Sequence, residues 1–131
     1  MPKVFHQFDS IQPGIFMDVT VSAPGSKDKW SIKALWDTGA SVSVISKDVA
    51  KNLGLEVKGF ARLRFANGAE RSSVYKIDLE LSSDIVIKDL FVRECNDGGN
   101  FEMLIGMDVI SRGNFRILNR SGKTFFEFET D

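Results

Sequence analysis

Ala34-Leu35-Trp36-Asp37-Thr38-Gly39-Ala40-Ser41 runs an apolar strand directly into an acid, a small hydroxyl residue, a glycine and an alanine. The pattern places a carboxylate at the end of a buried strand. An ionised Asp is kept in such a place only when it is paired or hydrogen-bonded. Gly39 has no Cβ, so its backbone N–H can approach the Asp37 carboxylate and the chain can turn with φ > 0. The Thr38 hydroxyl both donates and accepts, which suits a residue held by neighbouring main chain. Taken alone, the tetrapeptide fits an ordinary Asp-Gly turn after a strand equally well.

A second stretch changes that balance. Glu102-Met103-Leu104-Ile105-Gly106-Met107-Asp108-Val109-Ile110 has the form apolar strand, glycine, short helix start, with Gly106 standing 69 positions beyond Asp37. Leu35-Trp36-Asp37-Thr38-Gly39-Ala40-Ser41 followed by Leu104-Ile105-Gly106-Met107-Asp108 resembles the retropepsin-like family of aspartic proteases. Members of that family carry an apolar-apolar-Asp-Thr/Ser-Gly-Ala signature and, later, an Ile/Leu-Ile/Leu-Gly signature. The resemblance covers roughly residues 15–128 and, outside the two motifs, rests on strand order.

Composition is compatible with this reading. A chain of 131 residues is most simply one domain spanning 1–131, and 43% hydrophobic residues with eleven Phe and two Trp supply the material for a packed interior. Seventeen basic against eighteen acidic residues give a net charge of -1. Without a clustered basic face a nucleic-acid partner is not expected. Apolar runs are far shorter than the ~20 residues that cross a bilayer, so no membrane association is expected. The first residues have no secretory pattern, and a cytoplasmic location is the default expectation. Cys95 is alone, so no intrachain disulfide can form, and a buried or idle thiol is expected. One histidine, His6, in a stretch expected to be mobile, leaves no triad and no zinc cluster, so neither metal nor cofactor is expected.

Taken in order, Ile15–Val21 and Trp30–Trp36 alternate and read as a hairpin whose second arm delivers Asp37. Val42, Val44 and Ile45 suggest a return strand, and Ser46 an N-cap for a short helix closed by Gly54. Residues 59–75 carry Asn67-Gly68 between two alternating segments, the signature of a tight hairpin with both residues at the turn centre. An exposed hairpin without a role is one reading of it. Ile77, Leu79 and Leu81 form one further arm and Ile85–Val92 another, and 96–100 is a loop whose spacing fits no metal-ligand pattern. Phe101–Ile105 reads as a strand, Met107–Arg112 as a helix stopped by Gly113, and Phe115–Leu118 with Thr124–Glu129 as a last hairpin. Eight or nine short strands and one or two short helices indicate an all-β, closed or partly closed barrel; the resemblance makes it an acid-protease barrel.

Cleaving a peptide bond with carboxylates alone requires two of them close enough to share a proton, one taking a proton from water while the other faces the scissile carbonyl. This chain has one Asp-Thr-Gly. The partner carboxylate of such a protease must therefore come from a second copy across a two-fold axis, and the dimer is a chemical requirement. Two like charges at hydrogen-bond distance do not both ionise, so the singly protonated pair is the working form. The resemblance implies Asp37 as the catalytic acid, Thr38 bracing the two active-site loops, Gly39 holding the carboxylate through its N–H, and Ala40 with Leu104, Ile105 and Gly106 lining or supporting the cleft. It also implies a flap over bound peptide, with Asn67 and Gly68 at its tip by place in the order. Peptide or protein is then the substrate. The alternative is a weakly active or non-catalytic dimeric peptide-binding or scaffolding module of the same fold.

Overall fold

The computed structural model describes residues 1–66, 68–95 and 99–131. Among them are ten strands and two short helices: β1 (Lys3–Gln7), β2 (Ile15–Ser22), β3 (Trp30–Trp36), β4 (Val44–Ser46), α1 (Lys47–Asn52), β5 (Gly59–Phe65), β6 (Gly68–Ser82), β7 (Ile85–Cys95), β8 (Met103–Ile105), α2 (Met107–Ile110), β9 (Gly113–Arg120) and β10 (Lys123–Thr130). Neighbouring strands run β2-β3-β8-β4-β7-β6, and pairing of Thr20–Ser22 with Asp78–Glu80 joins β6 back to β2, closing a six-stranded barrel. The all-β barrel expected from the sequence is therefore closed. β5 hangs on β6 outside the ring, and β1-β10-β9 form a separate three-stranded sheet.

Alternation drives the closure. Val19, Val21, Ile32, Ala34 and Trp36 point inward from the first hairpin and Ile77, Leu79, Ile87, Leu90 and Val92 from the β6–β7 pair, all in one buried cluster. Burying each of the larger aliphatic side chains contributes about 1.5–3 kcal/mol. β8 lies between β3, to which it is parallel, and β4, to which it is antiparallel, so a three-residue strand connects the two halves of the barrel next to Asp37. Ser46 caps α1, its Oγ accepting the Val49 N–H at 3.2 Å, and Gly54 leaves the helix at φ 63°, as the residue pattern requires.

The structure departs from the sequence reading in several places. Lys3–Gln7, including His6, is a strand and not a mobile end, because its backbone pairs with Phe125–Glu129 of β10. The last hairpin therefore gains a third strand that no local pattern announces. β8 is shorter than Phe101–Ile105, and α2 is shorter than Met107–Arg112, ending at the C-cap Ser111 with Arg112 in the turn that leads into β9. Phe65 pairs with Gly68, so Gly68, at φ 149°, begins the returning arm instead of sitting at the turn centre; strand pairing there extends further than the turn residues suggest. Asn67 lies outside the described residues, as do Asn96, Asp97 and Gly98 of the expected loop. Trp36 points into the interior against Phe115, Phe126 and Phe128, with ring centroids 5.8, 5.0 and 5.1 Å away. Phe126 and Phe128 of β10 are thus core and fully buried, while Phe125 is half-buried against the exposed Phe5. Among the described residues, no helix is long and apolar enough to cross a membrane.

Candidate active site

Asp37 follows directly on β3, where Trp36 stands opposite Ile105 of β8. The Asp37 N–H donates to the Ile105 carbonyl at 2.9 Å, extending the parallel ladder by one bond and fixing the backbone from which the carboxylate projects. The chain then turns tightly. The Gly39 N–H donates to Asp37 Oδ1 at 2.8 Å, and the Ala40 N–H donates to the Asp37 carbonyl at 3.2 Å. This is the approach a glycine permits: a Cβ on Gly39 would stand 3.1 Å from Asp37 Oδ1. The carboxylate is half-buried, while Thr38, Gly39 and Ser41 are exposed at the mouth.

Beneath the turn lies a clamp that joins it to α2. The Met107 N–H donates to the Ala40 carbonyl at 2.7 Å. Ser43 is fully buried, and its Oγ donates to Asp108 Oδ1 at 2.7 Å while accepting the Gly106 N–H at 3.0 Å. Its own N–H donates to Asp108 Oδ2 at 2.9 Å. Asp108 also accepts the Val109 N–H, so one carboxylate satisfies both the buried serine and the start of α2. Gly106 is irreplaceable by size, because a Cβ there would lie 2.7 Å from the Ala40 carbonyl oxygen and 2.9 Å from the Val42 carbonyl. Hence the two sequence motifs meet: the Asp-Thr-Gly-Ala turn and the Leu-Ile-Gly turn pack backbone to backbone.

A cleft of about 470 Å³ opens over this floor. Of the residues singled out from the sequence, Asp37, Gly39, Ala40 and Leu104 line it. Ile105 and Gly106 are buried beneath it as support, and Thr38 is exposed at the turn. Gly68 is not among the described residues lining it. The structure adds Ser41, Val42, Val44, Arg62, Arg93 and Cys95 to the lining. Arg62 comes from β5 and Arg93 from β7, and only the parallel β4–β7 pairing, Val44 against Arg93, brings the latter beside the acid's loop. No local motif marks either arginine. Nor does the sequence mark Ser43, which holds the polar place in Val42-Ser43-Val44 yet is fully buried. Cys95 is buried and forms no disulfide. Behind the cleft, burial pushes the Tyr75 hydroxyl above its ordinary value, and its hydrogen bond to the Glu94 carboxylate at 2.8 Å, with that group's charge, adds to the effect. Among the described residues, no three acidic, histidine or cysteine side chains are grouped so as to hold a metal.

The closed six-stranded barrel, the parallel β3–β8 pair and the glycine-held acid define a retropepsin-like acid-protease fold. A family model described as "gag-polyprotein putative aspartyl protease" matches residues 23–112, well over half of the chain, and the chain belongs to that family. Among solved structures it is similar to a retropepsin-like aspartic protease from Rickettsia conorii, with a TM-score of 0.64 at 15% identity over 97% of this chain and 92% of that one. That likeness concerns the fold. The retroviral protease-like domain of Ddi1 from Leishmania major is also similar, with a TM-score of 0.46 at 19% identity, covering 87% of this chain and 94% of that one. No curated protein matches the chain significantly.

Proposed function

We propose that the chain is an aspartic endopeptidase, active as a homodimer in which two copies of Asp37 meet across a two-fold axis. The observation that carries this reading is the Asp37 carboxylate itself, oriented by the Gly39 N–H at 2.8 Å and lining a cleft of about 470 Å³. One Asp37 takes a proton from a bound water as its oxygen attacks the scissile carbonyl carbon. Its mate gives a proton to the carbonyl oxygen, forming a gem-diol. Collapse of that intermediate breaks the C–N bond as a proton passes to the departing amine. No covalent intermediate arises. In this reading Thr38, which is exposed beside the acid, meets its own mate at the axis. Ala40 and Leu104 form the cleft floor, and the β5–β6 hairpin, to which Gly68 belongs, serves as the flap. Peptide backbone pairs as an added strand, with side chains alternating between floor and flap.

The test uses a reduced, unfolded protein as substrate together with light scattering of the enzyme. Wild type is expected to cleave it and to run at about twice the 14.6 kDa protomer mass, while Asp37→Asn keeps the melting temperature and loses cleavage. Full activity in Asp37→Asn overturns the reading. Retained peptide binding by a dimer that never cleaves would instead leave a scaffolding module of the same fold.

A further inference from the structure

The described residues lining the cleft carry two guanidinium groups, Arg62 and Arg93, against one carboxylate, Asp37. A cleft built only to accept extended backbone would need neither. Strand alternation explains how Arg93 reaches it: Glu94 turns to the opposite face of β7, where its Oε1 accepts the Tyr75 hydroxyl at 2.8 Å, while Arg93 and Cys95 face the cleft. The neighbouring acid is thus directed away. Arg93 is half-buried, and its Nη1 donates to the Arg62 backbone carbonyl at 2.9 Å. That bond pins the planar fork and ties β7 to β5, so the cation is held in place before any ligand arrives. Arg62 is exposed and also borders a second depression with Glu70 and Arg71, which makes Arg93 the principal group and Arg62 its auxiliary.

We propose that Arg93, assisted by Arg62, forms a subsite for an acidic side chain, Asp or Glu, of the substrate close to the scissile bond. The inference rests on the hydrolytic reading above and names the substrate class for that site. A carboxylate on the bound strand can accept two parallel N–H bonds from a guanidinium, a geometry that an amide or an aliphatic side chain does not reproduce. The hydrophobic floor of Val42, Val44 and Leu104 lowers the local dielectric and strengthens that pairing. In a two-fold dimer the same pair recurs in the other half of the cleft, so the preference is expected on both sides of the cut bond.

The test leaves the protein untouched in its first arm. A mixed decapeptide library is digested by wild-type enzyme at about pH 6, where substrate Asp and Glu are ionised, and products are read by mass spectrometry. Matched synthetic decapeptides carrying Glu, Gln or Leu at the selected position are then compared. We expect kcat/KM for the Glu peptide to exceed that for the Gln peptide by roughly tenfold or more, most of it in KM. Arg93→Gln should erase the ratio and Arg93→Lys should restore part of it, whereas a purely structural tie between β7 and β5 would lower the rate on all peptides alike. Hydrolysis without preference for acidic residues overturns the subsite and leaves the protease reading intact. Binding of the same peptides to Asp37→Asn, followed by fluorescence anisotropy, separates the converse case: acid-selective binding without wild-type cleavage supports the subsite and removes the hydrolytic role. Equal affinity of Asp37→Asn for the Glu and Gln peptides overturns the subsite.

Discussion

Ser43→Ala tests whether the floor beneath Asp37 is held by the buried clamp. The substitution removes one hydroxyl and leaves little empty space, so its cost is a matter of hydrogen bonds. The Gly106 N–H loses its acceptor at 3.0 Å inside the protein, and Asp108 loses the 2.7 Å donor while keeping the N–H groups of Ser43 and Val109. An orphaned buried N–H costs about 1–3 kcal/mol, and the charge-assisted bond adds to this, for a total of about 2–4 kcal/mol. With an unfolding entropy of about 2.1 cal/mol/K per residue, the melting temperature should fall by about 7–15 °C. Differential scanning calorimetry measures this directly. Asp108→Ala should be comparably harmful, and the double variant should cost less than the two single ones added, because they remove shared bonds. Activity should drop together with stability, since Gly106 packs against the Ala40 carbonyl that follows the acid. A melting temperature within about 2 °C of wild type, or full additivity, would refute the clamp.

Other positions make separate predictions. Gly39→Ala brings a methyl group to 3.1 Å from Asp37 Oδ1 at an exposed turn, so kcat should fall by about tenfold or more with a small change in melting temperature. Trp36→Ala empties the space between the barrel and the β1-β10-β9 sheet and should cost about 3–5 kcal/mol in denaturant unfolding. At Asp78, burial alone would raise the carboxyl, but the N–H groups of Gly25 and Asp89 and the charges of Lys88 and Lys29 outweigh it and hold it below the ordinary 3.8. A depressed carboxyl lends stability above its unfolded value and loses it as the pH falls through the lower folded one. Asp78→Asn should therefore lower the melting temperature at neutral pH, with the difference from wild type shrinking below about pH 4.

Much of this architecture could be read from alternation and punctuation. The hairpin that delivers Asp37, the Ser46 cap and the Gly54 exit follow from local chemistry, and the structure places each as the residues demand. The two glycine motifs were legible as a pair through their resemblance to a family signature; the packing behind it, a Cβ crowded by Asp37 Oδ1 at Gly39 and blocked by backbone at Gly106, is seen only in the structure. What escaped was non-local. β1 exists only because β10 offers an edge more than a hundred residues away, and the stretch around His6 carries no pattern of its own. Arg93 enters the cleft through the parallel pairing of β4 with β7, which no turn or spacing announces. Gly68 shows the opposite fault: the Asn-Gly signal is genuine for a hairpin, but strand pairing moved the glycine out of the turn centre.

The central claim is that hydrolysis needs two Asp37 carboxylates from two chains. It is tested by mixing wild-type protein with Asp37→Asn at constant total concentration, allowing the subunits to exchange, and measuring peptide cleavage across the titration. If only wild-type pairs are competent, the rate follows the square of the wild-type fraction and is about one quarter of the full rate in an equal mixture. A rate that declines in simple proportion, leaving about one half at that point, would mean that each chain works alone and would contradict the account.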